Sequence, residues 1–473
     1  MGILPARAIA LEVLVRVERE AAFAADLLHT LLRGTVRREE AALATELVLG
    51  VLRWQRLLDV LLARHLPRPP ESLDDPVRLA LRLGAYQLRF LNRIPAHAAV
   101  NESVEWVKRA GVRSAAGLVN AVLRRMAQEA DRPVETLLPA SLSGIERLAV
   151  LHSHPSWLVQ RWRAAFGEAR TVALLEANNA AAPLACAVHE PSQPELVAQA
   201  LRQEGLTVAP GRWLQRALLL GGGSPTQTAP FRTGQISMQD EASQMIPLLL
   251  AVEPGAIVLD LCAAPGGKTV TLARAAGPGA FLVAADRHAH RLRVLRQQLA
   301  RTGTTGVALV LVDGTTPLPW SRQFSRILLD APCSGTGTLA RNPEIRWRLR
   351  VQDLQELHAR QVALLRNALA ALAPGGRLVY STCSLEPEEN EQVVAEVLAA
   401  VPHARLVEPV RMVAALAPHL RAGARPEMLL APAAEVPGWS AAHLAAGGVF
   451  RTFPPEHGTD GFFAVAIELD ALH

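Results

Sequence analysis

The most informative segment of the chain is a glycine-rich turn between an apolar run and a helical pattern. It covers residues 260–269 and consists of Asp260-Leu261-Cys262-Ala263-Ala264-Pro265-Gly266-Gly267-Lys268-Thr269. The apolar residues 256–261 predict a strand, and the spacing over 268–275 predicts a helix. Two glycines allow backbone angles that other residues avoid, so main-chain amides can approach a ligand where the helix begins. The segment therefore predicts a cradle for a charged small molecule.

Two phosphate-binding patterns do not describe this turn. A Walker A loop needs glycine five residues before Gly267, where this chain has Cys262. The G-x-G-x-x-G fingerprint of dinucleotide-binding domains is absent too, which argues against a nicotinamide-dependent oxidoreductase. The alternative interpretation is a tight strand-to-helix turn without a ligand, which is the usual explanation of an isolated glycine pair.

Strands and helices alternate through the whole C-terminal half. Apolar runs predict further strands over residues 281–285, 307–312, 326–329 and 377–382. Helical spacing lies between them over residues 289–301 and 351–372. This alternation predicts an α/β domain over residues 236–473, in which helices cover a doubly wound, mostly parallel sheet. Ligands of such sheets bind at the carboxyl ends of the strands.

Acidic residues end two of these strands. Asp286 ends the strand after the glycine loop, and Asp313 ends the next one. A carboxylate at either position can bind ribose hydroxyls, although either aspartate alone is more often a cap of the following helix. A glycine loop and two acids at three successive strand ends favour a nucleoside-type cofactor.

The N-terminal part predicts two further domains. Apolar residues such as Val77, Leu81 and Leu88 recur at helical spacing, so residues 1–140 are expected to be all-α. Residues 141–235 mix helical stretches (157–175, 194–205) with strand-like runs (184–188, 217–220), which predicts a small α+β lobe. Residues 414–446 are rich in Ala and Pro and predict an irregular insertion.

Composition limits the possible partners. The chain has 473 residues and a formal charge of +5, and residues 1–145 carry 20 basic against 16 acidic residues. This excess suits a polyanion such as RNA and equally suits a solvated helical surface. Four scattered cysteines predict neither a disulfide framework nor a metal site. Without an export signal or an apolar span, we expect a cytoplasmic monomer with no membrane contact.

Two cysteines follow predicted strands. Cys333 lies in Asp330-Ala331-Pro332-Cys333-Ser334, and Cys383 lies in Tyr380-Ser381-Thr382-Cys383-Ser384. A lone cysteine is more often a small buried hydrophobe, as we expect for Cys186. Neighbouring strands, however, can bring Cys333 and Cys383 into one crevice at the sheet edge.

Two thiols in one crevice suit methylation of a pyrimidine. Cytosine C5 is a weak nucleophile, and a thiolate that adds to C6 makes C5 electron-rich. The charge that develops at N3 needs a donor, for which a protonated Asp330 is a candidate. The C5 proton must then leave before the thiolate is expelled, and Cys333 is positioned to assist.

These segments resemble the NOL/NOP/Sun family of RNA 5-methylcytosine methyltransferases. The resemblance extends to Gln239–Ser243, Pro387–Glu391 and His457–Phe463. It implies a class I, Rossmann-like methyltransferase domain in which Cys383 is the nucleophile and Cys333 helps release the product. The implied contacts of S-adenosylmethionine are Cys262, Ala263, Ala264, Pro265, Gly266, Gly267, Lys268, Asp286, Asp313 and Asp330.

The helical N-terminal part resembles the NusB-type RNA-binding domain of the bacterial Sun (RsmB) subgroup. The matching segments are residues 46–53, 83–88, 94–101 and 119–124. That subgroup methylates a cytosine of 16S ribosomal RNA, the small-subunit RNA, which is the substrate this architecture implies. One departure concerns the lobe, where the family's Leu-Arg-Val-Asn strand is here Cys186-Ala187-Val188-His189, so the arginine that would contact RNA is replaced by Ala187.

Two other functions stay open. A transfer-RNA methyltransferase of the same superfamily would share every catalytic motif. The helical N-terminal domain is the only reason to prefer ribosomal RNA as the substrate. An RNA-binding ribosome-assembly factor with an inactive catalytic half is a second alternative, against which the intact Cys383, Cys333 and Lys268 argue.

Overall fold

The chain folds into two compact units. The computed structural model describes residues 6–20, 22–32, 37–320, 324–432 and 447–470. Unit 1 comprises Met1–Ala181 and Leu339–Leu349, and unit 2 comprises Ala182–Thr338 and Arg350–His473. The division differs from the three predicted segments, because helices up to residue 179 group with the N-terminal ones. The boundaries near residues 140 and 235 stay predictions.

Unit 1 is helical, as the apolar spacing predicts. Its helices are α1 (Ala6–Glu20), α2 (Ala24–Leu31), α3 (Arg38–Ala63), α4 (Asp75–Phe90), α5 (Ala96–Arg109), α6 (Ala116–Gln128), α7 (Val134–Leu137), α8 (Gly144–Leu151), α9 (Ser156–Phe166), α10 (Glu168–Asn179) and, from the later segment, α16 (Ile345–Arg348). Short 3₁₀ turns cover Pro70–Ser72 and Arg113–Ala115. Helices α3 and α4 pack closely because Gly50 leaves room for Tyr86, whose ring carbon Cζ would lie 2.0 Å from a Cβ there.

The segment Leu339–Leu349 belongs to unit 1, although it lies within the predicted methyltransferase domain. Arg346 is fully buried and donates hydrogen bonds to Asn179 Oδ1 at 2.8 Å and to the carbonyl oxygen of Asn178 at 3.1 Å. Trp347 Nε1 donates to the carbonyl oxygen of Leu52 at 2.6 Å. Eleven residues between two segments of unit 2 thus complete the core of the helical unit.

Unit 2 begins with a small antiparallel sheet. Its strands have the order β2-β3-β1-β4. The elements are β1 (Leu184–Val188), α11 (Pro194–Gln203), β2 (Thr207–Pro210), β3 (Ala217–Gly221), α12 (Ala229–Arg232), β4 (Ile236–Met238) and α13 (Glu241–Met245). Cys186 is buried among apolar residues of this lobe, in agreement with the prediction of a packing role, and burial raises the pKa of its thiol to about 12.

The large sheet of unit 2 has nine strands among the residues that the structure describes. The elements are β5 (Ile257–Leu261), α14 (Gly267–Ala276), β6 (Phe281–Asp286), α15 (Ala289–Arg301), β7 (Val307–Leu311), β8 (Phe324–Asp330), α17 (Val351–Ala371), β9 (Leu372–Thr382), α18 (Glu391–Ala399), β10 (Ala404–Leu406), α19 (Pro409–Leu416), β11 (Leu430–Pro432), β12 (Gly448–Thr452), α20 (Pro454–His457) and β13 (Phe462–Leu469). The order is β11-β12-β13-β9-β8-β5-β6-β7, and β10 pairs with β13.

The sheet has a parallel half and an antiparallel half. Strands β5 to β9 pair in parallel, as predicted, whereas β10 to β13 pair antiparallel. Part of the predicted irregular insertion (414–446) is thus regular, since the last three residues of α19 and the whole of β11 lie in it. Its residues 433–446 are outside the described residues. The strand order reverses between β5 and β8, which places the ligand crevice at their carboxyl ends.

Candidate active site

The loop after β5 is shaped by backbone angles that favour glycine. Gly266 has a φ of +106°, and a Cβ there would lie 2.2 Å from Leu295 Cδ1. Helix α14 begins at the next residue, Gly267, so its first free amides face the loop. Cys262 has a φ of +69°, and burial raises the pKa of its thiol, which keeps this cysteine neutral.

The carboxyl of Asp260, the last acid before the loop, is buried. Thr269 Oγ1 donates a hydrogen bond to Asp260 Oδ2 at 2.6 Å and so ties the end of β5 to the first turn of α14. Burial raises the pKa of Asp260 to about 7 despite this hydrogen bond. Asp260 therefore helps to hold the loop in shape.

A cavity of about 140 Å³ lies at the ends of β5, β6 and β7. Cys262, Asp286 and Asp313, three of the residues predicted from the sequence, line it together with Arg291 and Arg360. Asp286 Oδ1 accepts a hydrogen bond from the His288 amide at 3.0 Å. The hydroxyl and amide of Thr315 both donate to Asp313 and lower the pKa of that exposed carboxyl.

Lys268 and Asp330, also predicted, pair with each other outside the lining of this cavity. Lys268 Nζ lies 2.7 Å from Asp330 Oδ2 and 5.4 Å from the centre of the Phe462 ring. Ser381 Oγ donates to the other carboxyl oxygen of Asp330 at 2.7 Å. Both oxygens of Asp330 thus accept hydrogen bonds in this arrangement.

The two predicted thiols lie in contact. Cys333 Sγ and Cys383 Sγ are 3.3 Å apart, after the ends of β8 and β9. The hydrogen bond with Cys383 and burial raise the pKa of the Cys333 thiol well above its usual value. Cys333 therefore keeps its proton near neutral pH and can donate it to the sulfur of Cys383.

A buried network around Glu389 holds both cysteine loops, and the sequence analysis missed it. The side chain of Glu389 accepts hydrogen bonds from Ser334 and Ser384, which directly follow the two cysteines. Gln361 donates to the same carboxyl at 3.0 Å and to the carbonyl oxygen of Pro332 at 2.9 Å. The sequence does contain a hint of this network, because each of the two cysteines is directly followed by a serine.

The small sheet of unit 2 differs from the family pattern at residue 187, which carries no positive charge. Ala187 stands where the family has arginine, and it pairs with Ser237 of β4. His189 is buried against Ser237 Oγ at 2.7 Å, and burial lowers the pKa of its ring to about 3, so the ring is neutral at physiological pH.

Two kinds of feature are absent from the described residues. Within residues 6–20, 22–32, 37–320, 324–432 and 447–470, no group of three or more His, Cys, Asp or Glu side chains is arranged to hold a metal ion. Over the same residues, no helix has the length and apolar character needed to cross a bilayer.

Three family models match successive parts of the chain. Residues 4–128 match the NusB family, residues 154–227 match a ferredoxin-like domain of RsmF/B-like methyltransferases, and residues 247–468 match the 16S rRNA methyltransferase RsmB/F family. The matched NusB segment falls within unit 1. The resemblance noted in the sequence is thereby confirmed.

Solved structures and a curated relative agree with these matches. PH0851 aligns over 99% of both chains with a TM-score of 0.78 and 24% identity, and so shares the fold. A methyltransferase homolog protein from Pyrococcus horikoshii covers 69% of this chain and 100% of its own, with a TM-score of 0.54 and 30% identity. The ribosomal RNA small subunit methyltransferase B of Pseudomonas putida is 37% identical over 78% of this chain and 84% of its own length. The chain therefore belongs to the RsmB/F family of S-adenosylmethionine-dependent methyltransferases.

Proposed function

We propose that this protein transfers a methyl group from S-adenosylmethionine to C5 of a cytosine in 16S ribosomal RNA, through a covalent bond between Cys383 and C6 of the base. The observation that supports it most is the pair of thiols, with 3.3 Å between the sulfurs. The Pseudomonas putida relative is named for methylation of small-subunit ribosomal RNA, which favours that substrate.

The residues at the ends of β5 to β7 suit the cofactor. Asp286 Oδ2 is buried, lies 3.3 Å from Arg291 Nη1 and accepts no hydrogen bond from the described residues, so a ribose hydroxyl can donate to it. The sulfonium of the bound cofactor supplies the electrophilic methyl group. The loop residues Cys262, Ala263, Ala264, Pro265, Gly266, Gly267 and Lys268, with Asp286, Asp313 and Asp330, would hold the cofactor.

Cys383 begins the reaction. Its thiolate forms a bond to C6 of an unstacked cytosine, and the electron pair of the C5–C6 double bond becomes available at C5. The negative charge spreads to N3, where Asp330 would deliver a proton. Because both oxygens of Asp330 accept hydrogen bonds, from Lys268 and Ser381, that proton would come from the Lys268 ammonium at 2.7 Å and pass through Asp330 to N3.

Cys333 completes the cycle. After C5 has bonded to the methyl carbon, N3 returns its proton to the Lys268–Asp330 pair. A water molecule then takes the proton from C5, the C5–C6 double bond forms again, and the bond between C6 and Cys383 breaks. The departing sulfur carries negative charge, and the S–H group of Cys333 at 3.3 Å stabilises it by hydrogen bonding. Loss of Cys333 should therefore trap the protein–RNA adduct.

The experiment incubates the protein with labelled S-adenosylmethionine and total RNA from a strain that lacks it. We expect label in 5-methylcytosine of small-subunit ribosomal RNA. Cys383→Ser should abolish the label, and Cys333→Ser should give a stable covalent adduct on a denaturing gel. Label in transfer RNA would favour the transfer-RNA methyltransferase, and no label in any RNA would favour the assembly factor.

The remaining assignments complete the proposal. The all-α domain (residues 1–140) and the lobe (141–235) would bind the RNA, and residues 236–473 would carry out the chemistry in a cytoplasmic monomer. Because aromatic residues make up only 4% of the chain, the RNA is held mainly by arginine and backbone contacts. RNA affinity should therefore fall as the salt concentration rises.

A further inference from the structure

The environment of Glu389 places one carboxyl group between the two cysteine loops. Glu389 is fully buried and precedes α18. Its Oε1 accepts from the Ser334 amide at 2.8 Å, and its Oε2 accepts from the hydroxyls of both Ser334 and Ser384. The two hydroxyl oxygens are themselves 3.1 Å apart. One side chain thus bridges two loops that are 50 residues apart in sequence.

Further contacts fix Glu389 itself. Gln361, on α17, donates to Oε1 at 3.0 Å, and the Tyr380 hydroxyl donates to the Glu389 main-chain oxygen at 2.6 Å. Two independent elements therefore set the position of this residue. A group held in this way can transmit a defined geometry to both serines and, through them, to the adjacent cysteines.

We infer that Glu389 is a positioning residue for the thiol pair. By accepting hydrogen bonds from Ser334 and Ser384 at once, it keeps the sulfurs of Cys333 and Cys383 in contact. Its effect on product release rests on the proposed function, because the contact matters for catalysis only if Cys383 forms the adduct and Cys333 assists its breakdown. Its effect on the distance between the thiols does not depend on any reaction with RNA.

The first test measures that distance without RNA. Phenylarsine oxide condenses with two adjacent thiols, forming two As–S bonds and releasing water, so its affinity reports how closely the sulfurs are held. Glu389→Ala should weaken binding about tenfold or more, which is the effect of losing a charge-assisted hydrogen bond. Glu389→Gln keeps one acceptor oxygen and should recover part of the affinity. Equally tight binding by Glu389→Ala and the wild type would overturn the inference.

Controls separate positioning from general damage. Glu396→Gln removes a carboxylate from exposed ion pairs with His358 and Arg366 on the neighbouring helix, and it should bind the arsenical as the wild type does. Cys333→Ser gives the affinity of a site with one thiol. If Glu389→Ala does not fold, the double variant Ser334→Ala/Ser384→Ala removes the same hydroxyl contacts, and wild-type affinity in that variant would equally overturn the inference.

The second test uses RNA. If release is slowed, Glu389→Ala should accumulate covalent adduct on a denaturing gel, as Cys333→Ser does, whereas a merely unstable protein would show less adduct and less product together. Adduct in Cys333→Ser without any in Glu389→Ala would contradict the inference alone. Absence of adduct in Cys333→Ser would contradict the proposed function, and the arsenical measurement would still decide the role of Glu389.

Discussion

Lys268 and Asp330 form an ion pair with 2.7 Å between Nζ and Oδ2, and it joins the loop after β5 to the end of β8. Lys268 Nζ also donates to Ser243 Oγ at 2.8 Å. The pair stands at the strands between which the order of the sheet reverses, where ligands of such sheets bind. Its position lets one lysine act on both the cofactor loop and the residue proposed to face the base.

Replacement of this lysine should impair catalysis far more than folding. Lys268→Met removes the cation beside Asp330, and we expect kcat/KM for RNA methylation to fall about 100-fold, as when one preorganised electrostatic group is lost. Lys108→Met is a matched control, because Lys108 is the only other lysine and pairs with Glu105 on an exposed helix surface. Similar activities of the two variants would contradict a role for Lys268 in the site.

An added methyl group at Gly266 should disturb the cofactor loop. Gly266→Ala forces a Cβ toward Leu295 in addition to straining a positive φ, so we expect a loss of about 1–3 kcal/mol in stability and weaker cofactor binding. Gly279→Ala is the control, since Gly279 also has a positive φ (+85°) but open space around it. Urea unfolding and calorimetric titration with S-adenosylmethionine measure the two effects. Equal losses in both variants would show that Leu295 is not the cause.

The buried Asp260 should give the stability a pH dependence. Its pKa in the folded protein is about 7, whereas an unfolded aspartate titrates near about 3.9. Between these values the folded protein holds a proton that the unfolded chain has lost, so stability falls as pH rises through this window and levels off above pH 7. Asp260→Asn should gain up to about 1.4 kcal/mol per pH unit relative to the wild type. Unfolding free energies from urea titrations at several pH values measure it, and parallel curves would contradict the proton at Asp260.

Arg346 should be essential for the stability of unit 1. Arg346→Met leaves the oxygens of Asn178, Asn179 and Ser153 without their donor, so we expect a loss of about 3 kcal/mol or more. Arg16→Met breaks only an exposed pair with Glu20 on α1 and should cost less than about 1 kcal/mol. Thermal unfolding followed by circular dichroism compares the two. A small shift of the transition in Arg346→Met would mean that water replaces the lost contacts.

The parallel half of the sheet could be predicted because its strands are apolar runs, each ending at a glycine loop, an aspartate or a cysteine motif. Helix α15 has the predicted bounds, 289–301, and β1 has the predicted bounds, 184–188. The antiparallel half was missed because its pairing joins β9 to β13, about 80 residues later, and no local pattern specifies such a partner. The stretch 157–175 is two helices, since Gly167 adopts a φ of +77° between them.

Within the candidate site, strand-end motifs predicted the meeting of Cys333 and Cys383, whereas the supporting residues were missed. Glu389 lies in an acidic segment that local composition places on the surface. It is buried because donors from two distant segments, at Ser334 and Gln361, converge on it together with the nearby Ser384. Arg346 is a similar case, since its partners Asn178 and Asn179 lie more than 160 residues away in the sequence. Contacts of this kind depend on tertiary structure and leave no periodic signal.

The eleven residues from Leu339 to Leu349 make the two units of this chain mutually dependent. The polypeptide passes from one unit to the other three times, so no single cut yields two self-sufficient pieces. A fragment starting at Ala182 would carry Arg346 and Trp347 without the helices that cover them, and a fragment ending at Ala181 would leave the main-chain oxygens of Asn178 and Leu52 without their donors. Two such fragments, made in the same cell, should therefore reassociate, because residues 339–349 of one fragment restore the hydrogen bonds of the other.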